Sequence, residues 1–393
     1  MTLPENAELI PNQDPETIAL MTDSVSRLVD EILIPAEERL EQEGCIPHEI
    51  IGAIREAGLF GLTVPTAYGG LGFNLSDEVR IIFELCRASP VYRSLIGTTI
   101  GIAGKSLVIG GTEAQKSRYL PKIAAGEIIF SFCLTEPGSG SDAASLRTRA
   151  EKVDGGYRLT GTKRFISNAP DADLFVVMAR SDPESQGARG VSAFLVERGS
   201  HGLTVSPPLK KMGQAGARTA DVIFEDCFVP HDALLGGEEG NGFRTAMRVL
   251  DHGRVHIAAV SVGLSRRLID EALAYALERE QFGKPIAEFQ LVQAMLADSE
   301  TDWLAARSMV EATARRRDAG ENVTSHAACC KYFASEALGR IADRAVQIHG
   351  GYGYVAEYPV ERLYRDARLF RIFEGTSQIQ QLVIAREMIK GAL

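Results

Sequence analysis

The chain has 393 residues and a formal net charge of −10, and 45% of its residues are hydrophobic. A chain of this length can bury large cores and favours a globular protein of two or three domains. The acidic balance argues against nucleic acid as the main partner, because a phosphate-binding surface needs a basic patch. The most basic run, Arg315, Arg316 and Arg317, is interpreted as a solvated helix face.

The first residues, MTLPENAELIPNQD, are acidic and polar and resemble neither a signal peptide nor a transit peptide. No apolar run approaches the length that spans a bilayer, so we expect no membrane span. The cysteines are scattered without a CxxC pair: Cys45, Cys86, Cys133, Cys227, Cys329 and Cys330. This pattern favours a reduced, cytoplasmic setting and predicts neither a metal site nor a disulfide framework.

Residues 1–127 show a helical pattern interrupted by short loops, which predicts an all-α N-terminal domain. Its first helix starts near Pro15. The helical spacing places Val25, Leu28 and Ile32 on one face of that helix.

Residues 89–111 form a helix-like segment with many small residues. Gly104, Lys105 and Ser106 imitate the end of a P-loop. Thr99 stands where that motif needs glycine, and no strand precedes it, so we reject a P-loop. The small residues either let a backbone pack tightly or leave room for a ligand.

Residues 128–238 show the alternating pattern of β-strands. Asp154 and Gly155 mark a hairpin turn between the first two long strands. Further strands are predicted at residues 174–180, 191–198 and 221–229. We therefore predict a middle antiparallel β-domain, either a sandwich or a barrel.

A glycine-rich loop follows the first strand. Gly138, Gly140 and Ala143 fit the spacing of a dinucleotide-binding fingerprint. That motif requires a helix next, whereas SLRTRAEKV reads as a strand, so we reject a Rossmann domain. The loop is either a plain hairpin or a backbone cradle for an anion or a flat cofactor, with Thr135 and Ser141 as donors.

Residues 239–393 are helical again, and the only prolines beyond Pro230 are Pro285 and Pro359. Long core helices are predicted from residue 289 onward and over residues 329–348. We therefore predict a second helical domain.

Two polar residues in this part keep two interpretations open. His349 precedes the paired glycines Gly350 and Gly351, which end a helix, and it is either a structural histidine or a ligand. Arg279 lies near the end of another helix. It is either a surface arginine or an arginine that holds a phosphate.

The stretch around Glu374 contains an acid in apolar surroundings. Glu374 follows the residues RLFRIF and precedes Gly375, which lets a bulky group approach closely. Desolvation raises a carboxyl pKa and makes the ionised group a better base. Ser377 and Gln380 match a capping box, which places Glu374 just before a helix. Glu374 is therefore either a catalytic base or an ordinary acid at a helix start.

Five stretches together resemble the acyl-CoA dehydrogenase family of flavoproteins, in order and at the family's spacing. They are CLTEPGSGSD at 133–142, GTKRFISN at 161–168, REQFGKPIAEFQ at 279–290, QIHGGYGY at 347–354 and RDARLFRIFEGTSQIQ at 365–380. The resemblance covers essentially the whole chain. It implies an α+β multidomain fold with an N-terminal helical domain, a middle β-domain and a C-terminal four-helix bundle. It also implies a homotetramer, a dimer of dimers, with FAD bound partly by a neighbouring subunit.

The resemblance assigns the catalytic base to Glu374, which in the family removes the α-proton of the acyl thioester while the β-hydrogen leaves as a hydride to the flavin. The backbone N–H of this residue helps to polarise the thioester oxygen. One branch of the family carries its base near His252 instead, but residue 253 is Gly here. The expected substrate-binding residues are Ser141, Asp251, Arg254, Gly375 and, less specifically, Arg93.

The expected FAD-binding residues match family positions within or beside the five stretches. They are Phe132, Leu134, Thr135, Gly140, Ser141, Phe165, Ser167, Arg279, Phe282, Gln290, Gln347, Gly350, Gly351, Thr376 and Gln378. Phe165 stands where tryptophan is commoner in the family. Arg93 matches a position that the glutaryl-CoA branch uses to hold a second carboxylate, and its alternative interpretation is a helix-surface arginine.

The sequence therefore predicts an FAD-dependent acyl-CoA dehydrogenase that forms trans-2-enoyl-CoA, as in fatty-acid β-oxidation, with an electron-transferring flavoprotein as oxidant. One alternative is a decarboxylating dehydrogenase for a dicarboxylyl-CoA such as glutaryl-CoA. Others are a flavin oxidase that reduces oxygen and a catalytically idle assembly or binding protein. The small residues at 97–104 favour a medium or bulky acyl group.

Overall fold

The computed structural model describes residues 14–185 and 187–392. Helices occupy both ends of the chain and a β-sheet lies between them, which confirms the predicted α+β architecture. None of the helices in the described ranges combines the length and the hydropathy that a bilayer crossing needs. The prediction that the N-terminus resembles no targeting peptide concerns mainly residues 1–13, which lie outside the described residues.

The N-terminal part is helical, as predicted. Its α-helices are α1 (Pro15–Leu28), α2 (Glu37–Glu43), α3 (His48–Glu56), α4 (Leu75–Leu85), α5 (Pro90–Ile96), α6 (Lys105–Gly110) and α7 (Glu113–Ala124). A π-helical turn at Val29–Leu33 continues α1, with Ile34 N–H donating to the Val29 carbonyl. The wider turn changes the register, so Val29 and Leu33 are buried while Ile32 is 38% exposed. The prediction that Ile32 shares one face with Val25 and Leu28 is therefore wrong.

The small-residue segment is a second π-helix, Gly97–Gly104, that joins α5 to α6. All of its residues are buried. A Cβ at Gly97 would lie 2.6 Å from Arg93 Nε, and a Cβ at Gly104 would lie 2.8 Å from the Thr99 carbonyl oxygen. Packing within the chain accounts for these two glycines, whereas a Cβ at Gly101 would meet nothing within 4 Å, so both interpretations of the segment stay open.

The middle part forms one seven-stranded sheet with a side branch. Its strands are β1 (Phe130–Cys133), β2 (Arg149–Val153), β3 (Gly156–Ser167), β4 (Leu174–Arg180), β5 (Val191–Glu197), β6 (Leu203–Val205) and β7 (Thr219–Pro230). The order is β1-β4-β2-β3-β7-β6, with β5 paired to β4. Val153 pairs with Gly156 across the predicted hairpin turn.

Two pairings depart from the antiparallel expectation. β4 runs parallel to β1 and to β2, so the sheet is mixed. Parallel neighbours need a long connection, and dozens of residues separate β1 from β4 along the chain. Local sequence patterns carry no information on such distant pairing.

Strand β4 explains how the sheet is held. Leu174, Val176 and Met178 belong to the hydrophobic core shared with the helices, whereas Phe175 and Val177 belong to the sheet's own core. Because successive side chains point to opposite faces, both faces of β4 are buried, and its sequence is continuously apolar. The sheet is thereby packed against the helices.

The C-terminal part begins with a 37-residue helix and is otherwise helical apart from a short hairpin. Its elements are α8 (Gly242–Glu278), β8 (Glu280–Gln281), β9 (Lys284–Pro285), α9 (Gln290–Asp318), α10 (Thr324–His349), α11 (Pro359–Ala367) and α12 (Ser377–Ala392). Helix α10 packs against α8, α9 and α12, which gives a four-helix bundle. One hydrophobic core contains Phe60 and Tyr92 of the N-terminal part and Leu264 and Leu338 of the bundle. The two helical parts are therefore joined around α8.

Candidate active site

Glu374 lies in a strained turn directly before α12. Its φ is 51° and that of Gly375 is 89°, both in the left-handed region. A non-glycine residue in this conformation costs a free energy on the order of 1–3 kcal/mol. The conformation persists only where the surrounding structure holds it. Lys331 Nζ donates to the Gly375 carbonyl oxygen at 2.8 Å, and Gln380 Nε2 donates to the same oxygen at 3.0 Å. The turn is thus held by α10 on one side and by α12 on the other.

The helix start differs by one residue from the predicted capping box. Thr376 Oγ1 accepts from the Ile379 N–H at 3.2 Å, while Ser377 Oγ donates to Glu336. Gln380 donates to carbonyl groups of the turn instead of closing a box with Ser377, because the left-handed turn brings those groups near its amide. The predicted box is wrong, whereas the placement of Glu374 just before a helix is confirmed.

The Glu374 carboxylate is buried among cations. Its side chain is 9% exposed, and Oε1 lies 3.9 Å from Arg93 Nη2. Burial raises the pKa of Glu374, and the charges of Arg93, Lys331 and Arg254 oppose that rise. Oε2 is buried and has no hydrogen-bond partner among the described residues. This carboxylate has a lone pair free to accept a proton.

Gly253 on α8 lies directly against the carboxylate. A Cβ at this position would be 2.4 Å from Glu374 Oε2, closer than real Cβ atoms come. Glycine at 253 therefore leaves room for the carboxylate, and a larger side chain would force the end of the Glu374 side chain to shift. The region that carries the base in one branch of the resembled family is filled here by the Glu374 side chain.

Arg93 is buried, so its interpretation as a helix-surface arginine is wrong. Its side chain is 5% exposed, and its Nε donates to His256 Nε2 at 2.6 Å. His256 Nδ1 lies 2.6 Å from Glu78 Oε1, and His252 Nε2 lies 2.9 Å from Glu78 Oε2. A buried polar chain therefore runs from α4 through α8 and α5 to Glu374.

The sequence reasoning missed Glu78 and Lys331. Each is a charged residue in the apolar stripe of a helix. Glu78 shares a face with Ile81, Ile82 and Leu85, three, four and seven positions on. Lys331 shares one with Ala327, Ala334 and Leu338. A charge within such a stripe is a signal for a buried ion, because an unpaired charge would not be tolerated there.

The expected CoA-binding pair is brought together. Arg254 Nη1 donates to Asp251 Oδ1 at 2.5 Å, and Thr324 Oγ1 donates to Asp251 Oδ2 at 3.0 Å. Arg254 Nε is buried and has no partner in the described ranges. Burial lowers the pKa of Arg254, and the charges of Asp251 and Glu374 oppose that fall. Arg254 therefore lies near Glu374, and Asp251 is its partner on the same helix, α8.

A first group of the expected FAD-binding residues lies side by side on β1, on β3 and in the loop after β1. Arg164 N–H donates to the Thr135 carbonyl at 2.8 Å, and Ser131 Oγ donates to the Ser167 carbonyl at 2.8 Å. These bonds join the strand ends that carry Phe132 and Phe165. The members of this group are Phe132, Leu134, Thr135, Gly140, Ser141, Phe165 and Ser167.

The backbone and one ring of this group are left bare. A Cβ at Gly138 or Gly140 would meet nothing within 4 Å, and neither residue has a positive φ, so the chain's own packing requires neither glycine. Phe165 has φ 58° and is 60% exposed, an unusual state for a bulky residue. A loop of unhindered glycines beside an exposed ring fits a flat, polar-edged cofactor.

A second group surrounds the end of α10. Arg279, Gly350 and Gly351 line a cavity of about 780 Å³ together with aromatic residues such as Tyr275 and Tyr352. Its lining residues all lie between 275 and 358, so none comes from the sheet. The other expected members of this group are exposed: Phe282 (95%), Gln290 and Gln347. A surface cavity with an arginine and bare glycine backbone fits a diphosphate and a base.

Two remaining expectations concern His349 and Gln378. His349 is buried, its Nδ1 lies 2.8 Å from the Ala345 carbonyl oxygen and its ring stacks on Tyr275. It is therefore a satisfied structural histidine at the cavity wall. Gln378 is exposed on the first turn of α12, next to Thr376, the cap of that helix.

Comparisons with known proteins agree with this arrangement. Three family models match consecutive parts of the chain: the acyl-CoA dehydrogenase N-terminal domain at residues 15–127, the middle domain at 131–227 and the C-terminal domain at 240–389. The chain is 42% identical to the caffeyl-CoA reductase-Etf complex subunit CarC of Acetobacterium woodii, over 90% of this chain and 93% of that protein. It is 41% identical to an acyl-CoA dehydrogenase of Bacillus subtilis, over 91% and 94%.

A solved structure extends the likeness to the fold. The butyryl-CoA dehydrogenase of Megasphaera elsdenii superposes with a TM-score of 0.92 at 33% identity, covering 96% of this chain and all of that one. Family models, relatives and fold agree over nearly the full described length. The chain therefore belongs to the acyl-CoA dehydrogenase family of FAD-dependent oxidoreductases.

Proposed function

We propose that the protein interconverts an acyl-CoA thioester and its trans-2-enoyl-CoA, with Glu374 as the base that removes the α-proton. The observation that carries the proposal is the Glu374 carboxylate, which is buried, has a raised pKa and leaves Oε2 without a partner among the described residues. A desolvated carboxylate is a stronger base than a hydrated one. The chemistry that FAD supplies when bound is acceptance of the β-hydrogen as a hydride.

The residues around the base prepare it for this step. The charges of Arg93 and Lys331 oppose the rise that burial causes in the pKa of Glu374, and Gly253 leaves the space that the carboxylate occupies. The Glu374 backbone N–H polarises the thioester oxygen, which acidifies the α-carbon. Asp251 and Arg254 hold the CoA part, with Ser141 and Gly375 as further substrate contacts.

The two groups of FAD-binding residues divide the cofactor between them. Phe165, Ser167, Thr135 and the loop around Gly140 hold the flavin ring. Arg279 and its cavity hold the diphosphate and adenosine, along with Phe282, Gln290, Gln347, Gly350 and Gly351. Thr376 and Gln378 make further contacts with FAD. No residue of the seven-stranded sheet lines that cavity, which supports its use by the FAD of a neighbouring subunit in a homotetramer, a dimer of dimers.

The reaction direction and the electron partner are linked. The relative CarC is named as a subunit of a reductase-Etf complex, which supports an electron-transferring flavoprotein as partner here. The same name favours a second candidate function, reduction of a 2-enoyl-CoA. A carboxyl group with a raised pKa can also return a proton to the α-carbon.

All six cysteines are free thiols, which supports the predicted reduced, cytoplasmic setting.

Arg93 supports a dicarboxylyl-CoA as a further substrate class. Its guanidinium is buried beside the base, where a second carboxylate of the acyl group could meet it. If Arg93 holds that carboxylate, Arg93→Ala abolishes turnover of glutaryl-CoA. At pH values above the acid limb, turnover of butyryl-CoA then changes much less, because Arg93 affects that substrate only through the pKa of Glu374.

A panel of CoA esters tests the proposal. The FAD-loaded protein is given straight, branched, aromatic and dicarboxylyl esters with a dye acceptor, and the matching enoyl esters with a reduced dye. We expect acyl-dependent dye reduction, with a medium or bulky acyl group preferred. No reaction in either direction contradicts the proposal and leaves the idle binding protein, especially if the purified protein takes up no FAD. Peroxide release without dye identifies the oxidase instead.

A further inference from the structure

A buried chain of polar contacts lies behind Glu374. Arg93 Nε on α5 donates to His256 Nε2 on α8 at 2.6 Å, and His256 Nδ1 lies 2.6 Å from Glu78 Oε1 on α4. We infer that His256, held by Glu78, is a positioning residue that directs the Arg93 guanidinium at Glu374 and so sets the protonation of the base. This inference rests on the proposed role of Glu374.

The hydrogen-bond directions follow from the charges at each end. Burial lowers the pKa of His256 to about 4, so the ring is neutral and has one N–H. A guanidinium has only donors, so Arg93 gives its Nε–H to the lone pair of Nε2. The remaining Nδ1–H then donates to the Glu78 carboxylate. Both ring nitrogens are used, and the imidazole ring cannot flip without losing both hydrogen bonds.

Glu78 is the fixed end of the chain. Its Oε1 receives His256, and His252 Nε2 lies 2.9 Å from its Oε2. Burial raises the pKa of Glu78, but the two imidazoles outweigh burial and hold that pKa well below its usual range. The three side chains are at most 4% exposed. An ionised, enclosed carboxylate therefore anchors the histidine from behind.

Arg93 is the cation that this anchor can steer. Two other cations face Glu374: Arg254 from α8 and Lys331 from α10. Arg254 is bonded to Asp251, and Lys331 donates to a backbone carbonyl, so each has a partner of its own. The Nη2 of Arg93 points at Glu374 from 3.9 Å, and its direction depends on where Nε is held.

Among the described residues, no side chain other than His256 accepts a hydrogen bond from Arg93. Cys86 faces it, but burial raises the pKa of that thiol to about 12, so it carries no charge at neutral pH. Gly97 leaves space for the guanidinium without contributing a side-chain contact. The direction of Arg93 is therefore fixed through His256.

Two substitutions separate the two bonds of the imidazole. In His256→Gln the side-chain oxygen reaches the level of Nε2 and still accepts from Arg93. In His256→Asn the amide reaches the level of Nδ1 and still donates to Glu78, but nothing reaches Arg93.

We expect Asn to move the acid limb of kcat/KM against pH upward by about one pH unit, because an opposite charge within ~4–6 Å lowers a carboxyl pKa by about that much or more. On that limb kcat/KM then falls about tenfold. Gln keeps the wild-type limb.

The measurements stay below pH 8, because burial lowers the pKa of Lys331 to about 8 and its charge also acts on the base. The matched control is His326→Asn, which removes an exposed arginine–histidine bond, Arg316 Nη1 to His326 Nε2 at 2.7 Å. It should leave the limb unchanged. If His256→Asn does not fold, His256→Ser replaces it, since serine reaches neither partner.

The outcomes distinguish this inference from the function on which it rests. Absence of turnover in the wild type contradicts the proposed function itself. If the wild type turns over its substrate and the Asn, Ser and Gln variants all have its acid limb, the positioning role alone is overturned. This holds even if the thermal midpoints of the variants fall. A limb that moves equally in the Gln and Asn variants also overturns it, because the bond to Arg93 would then not matter.

Discussion

Glu374 and Glu136 are both buried carboxylates beside a buried cation, but their surroundings are opposite. Glu136 accepts from Lys163 Nζ at 2.7 Å. It also accepts from the backbone N–H groups of Thr148 at 2.8 Å and Arg147 at 2.6 Å. Burial raises the pKa of Glu136, but Lys163 and these bonds bring it below its usual value. The pKa of Glu374 is raised, its nearest guanidinium nitrogen is 3.9 Å away and its Oε2 is unpartnered among the described residues.

The contrast separates a structural acid from a chemical one. Glu136 uses both oxygens to close the loop that presents Thr135 and Gly140, so its charge is satisfied by contacts within the fold. Glu374 retains an oxygen for a ligand and sits in a left-handed turn that costs free energy. Burial alone does not mark a catalytic acid in this chain. Glu374 is distinguished by the combination of a raised pKa and an unpartnered oxygen among the described residues, since Glu78 and Asp221 also have a buried oxygen without a hydrogen-bond partner.

The largest effect is expected from Glu374→Gln, which keeps the shape of the side chain and removes the base. We expect kcat to fall by about 10²–10⁴-fold with a CoA ester that the wild type uses, because a positioned general base contributes that much. The measurement is dye reduction by the FAD-loaded protein. FAD content and thermal midpoint serve as controls, and a rate within tenfold of the wild type contradicts the role of Glu374.

On the structural side, Lys163→Met should be the more damaging of two lysine substitutions. Lys163 is fully buried, and its loss leaves Glu136 charged and unpaired, which costs about 3–5 kcal/mol of the free energy of unfolding. Lys331→Met removes one charged hydrogen bond to the Gly375 carbonyl and should cost about 1–3 kcal/mol. Denaturant unfolding of both variants measures the difference. If both variants lose the same free energy of unfolding, Glu136 depends no more on Lys163 than Glu374 depends on Lys331.

Local signals predicted much of the fold. The strand at 174–180 and the turn at Asp154 were readable because alternation and turn chemistry are properties of neighbouring residues. The failures arise elsewhere. The π-turn at Val29–Leu33 reverses the burial of Ile32 without any residue that announces it. The parallel pairing of β4 joins strands that are distant along the chain.

The site divides in the same way. Glu374 was readable from its apolar neighbours and the helix that follows it. The burial of Arg93 was not, because its partners lie far along the chain, His256 on α8 and Glu374 in the turn before α12. Glu78 went unnoticed for the same reason, although its place in an apolar stripe was visible. Sequence patterns locate single reactive groups, whereas their partners are set by tertiary packing.

The smallest expected effect concerns the pH dependence of stability. The contributions of Glu136 and Glu374 to the free energy of unfolding should change with pH in opposite directions. The folded pKa of Glu136 lies below the ordinary carboxyl value of 4.5, so its ionised form contributes stability that is present above 4.5 and lost as pH falls through the folded pKa. The folded pKa of Glu374 lies above that value. As pH rises from 4.5 the unfolded chain ionises first, so stability falls until the folded pKa is passed.

Urea unfolding at pH values on both sides of 4.5 measures both trends against Glu136→Gln and Glu374→Gln. The wild-type free energy of unfolding minus that of Glu136→Gln should increase with pH in the acid range. The same difference for Glu374→Gln should decrease with pH above 4.5. Slopes of equal sign would mean that the cations around Glu374 outweigh its burial, as Lys163 does for Glu136. The raised pKa, and with it the basicity proposed for Glu374, would then have no support from stability.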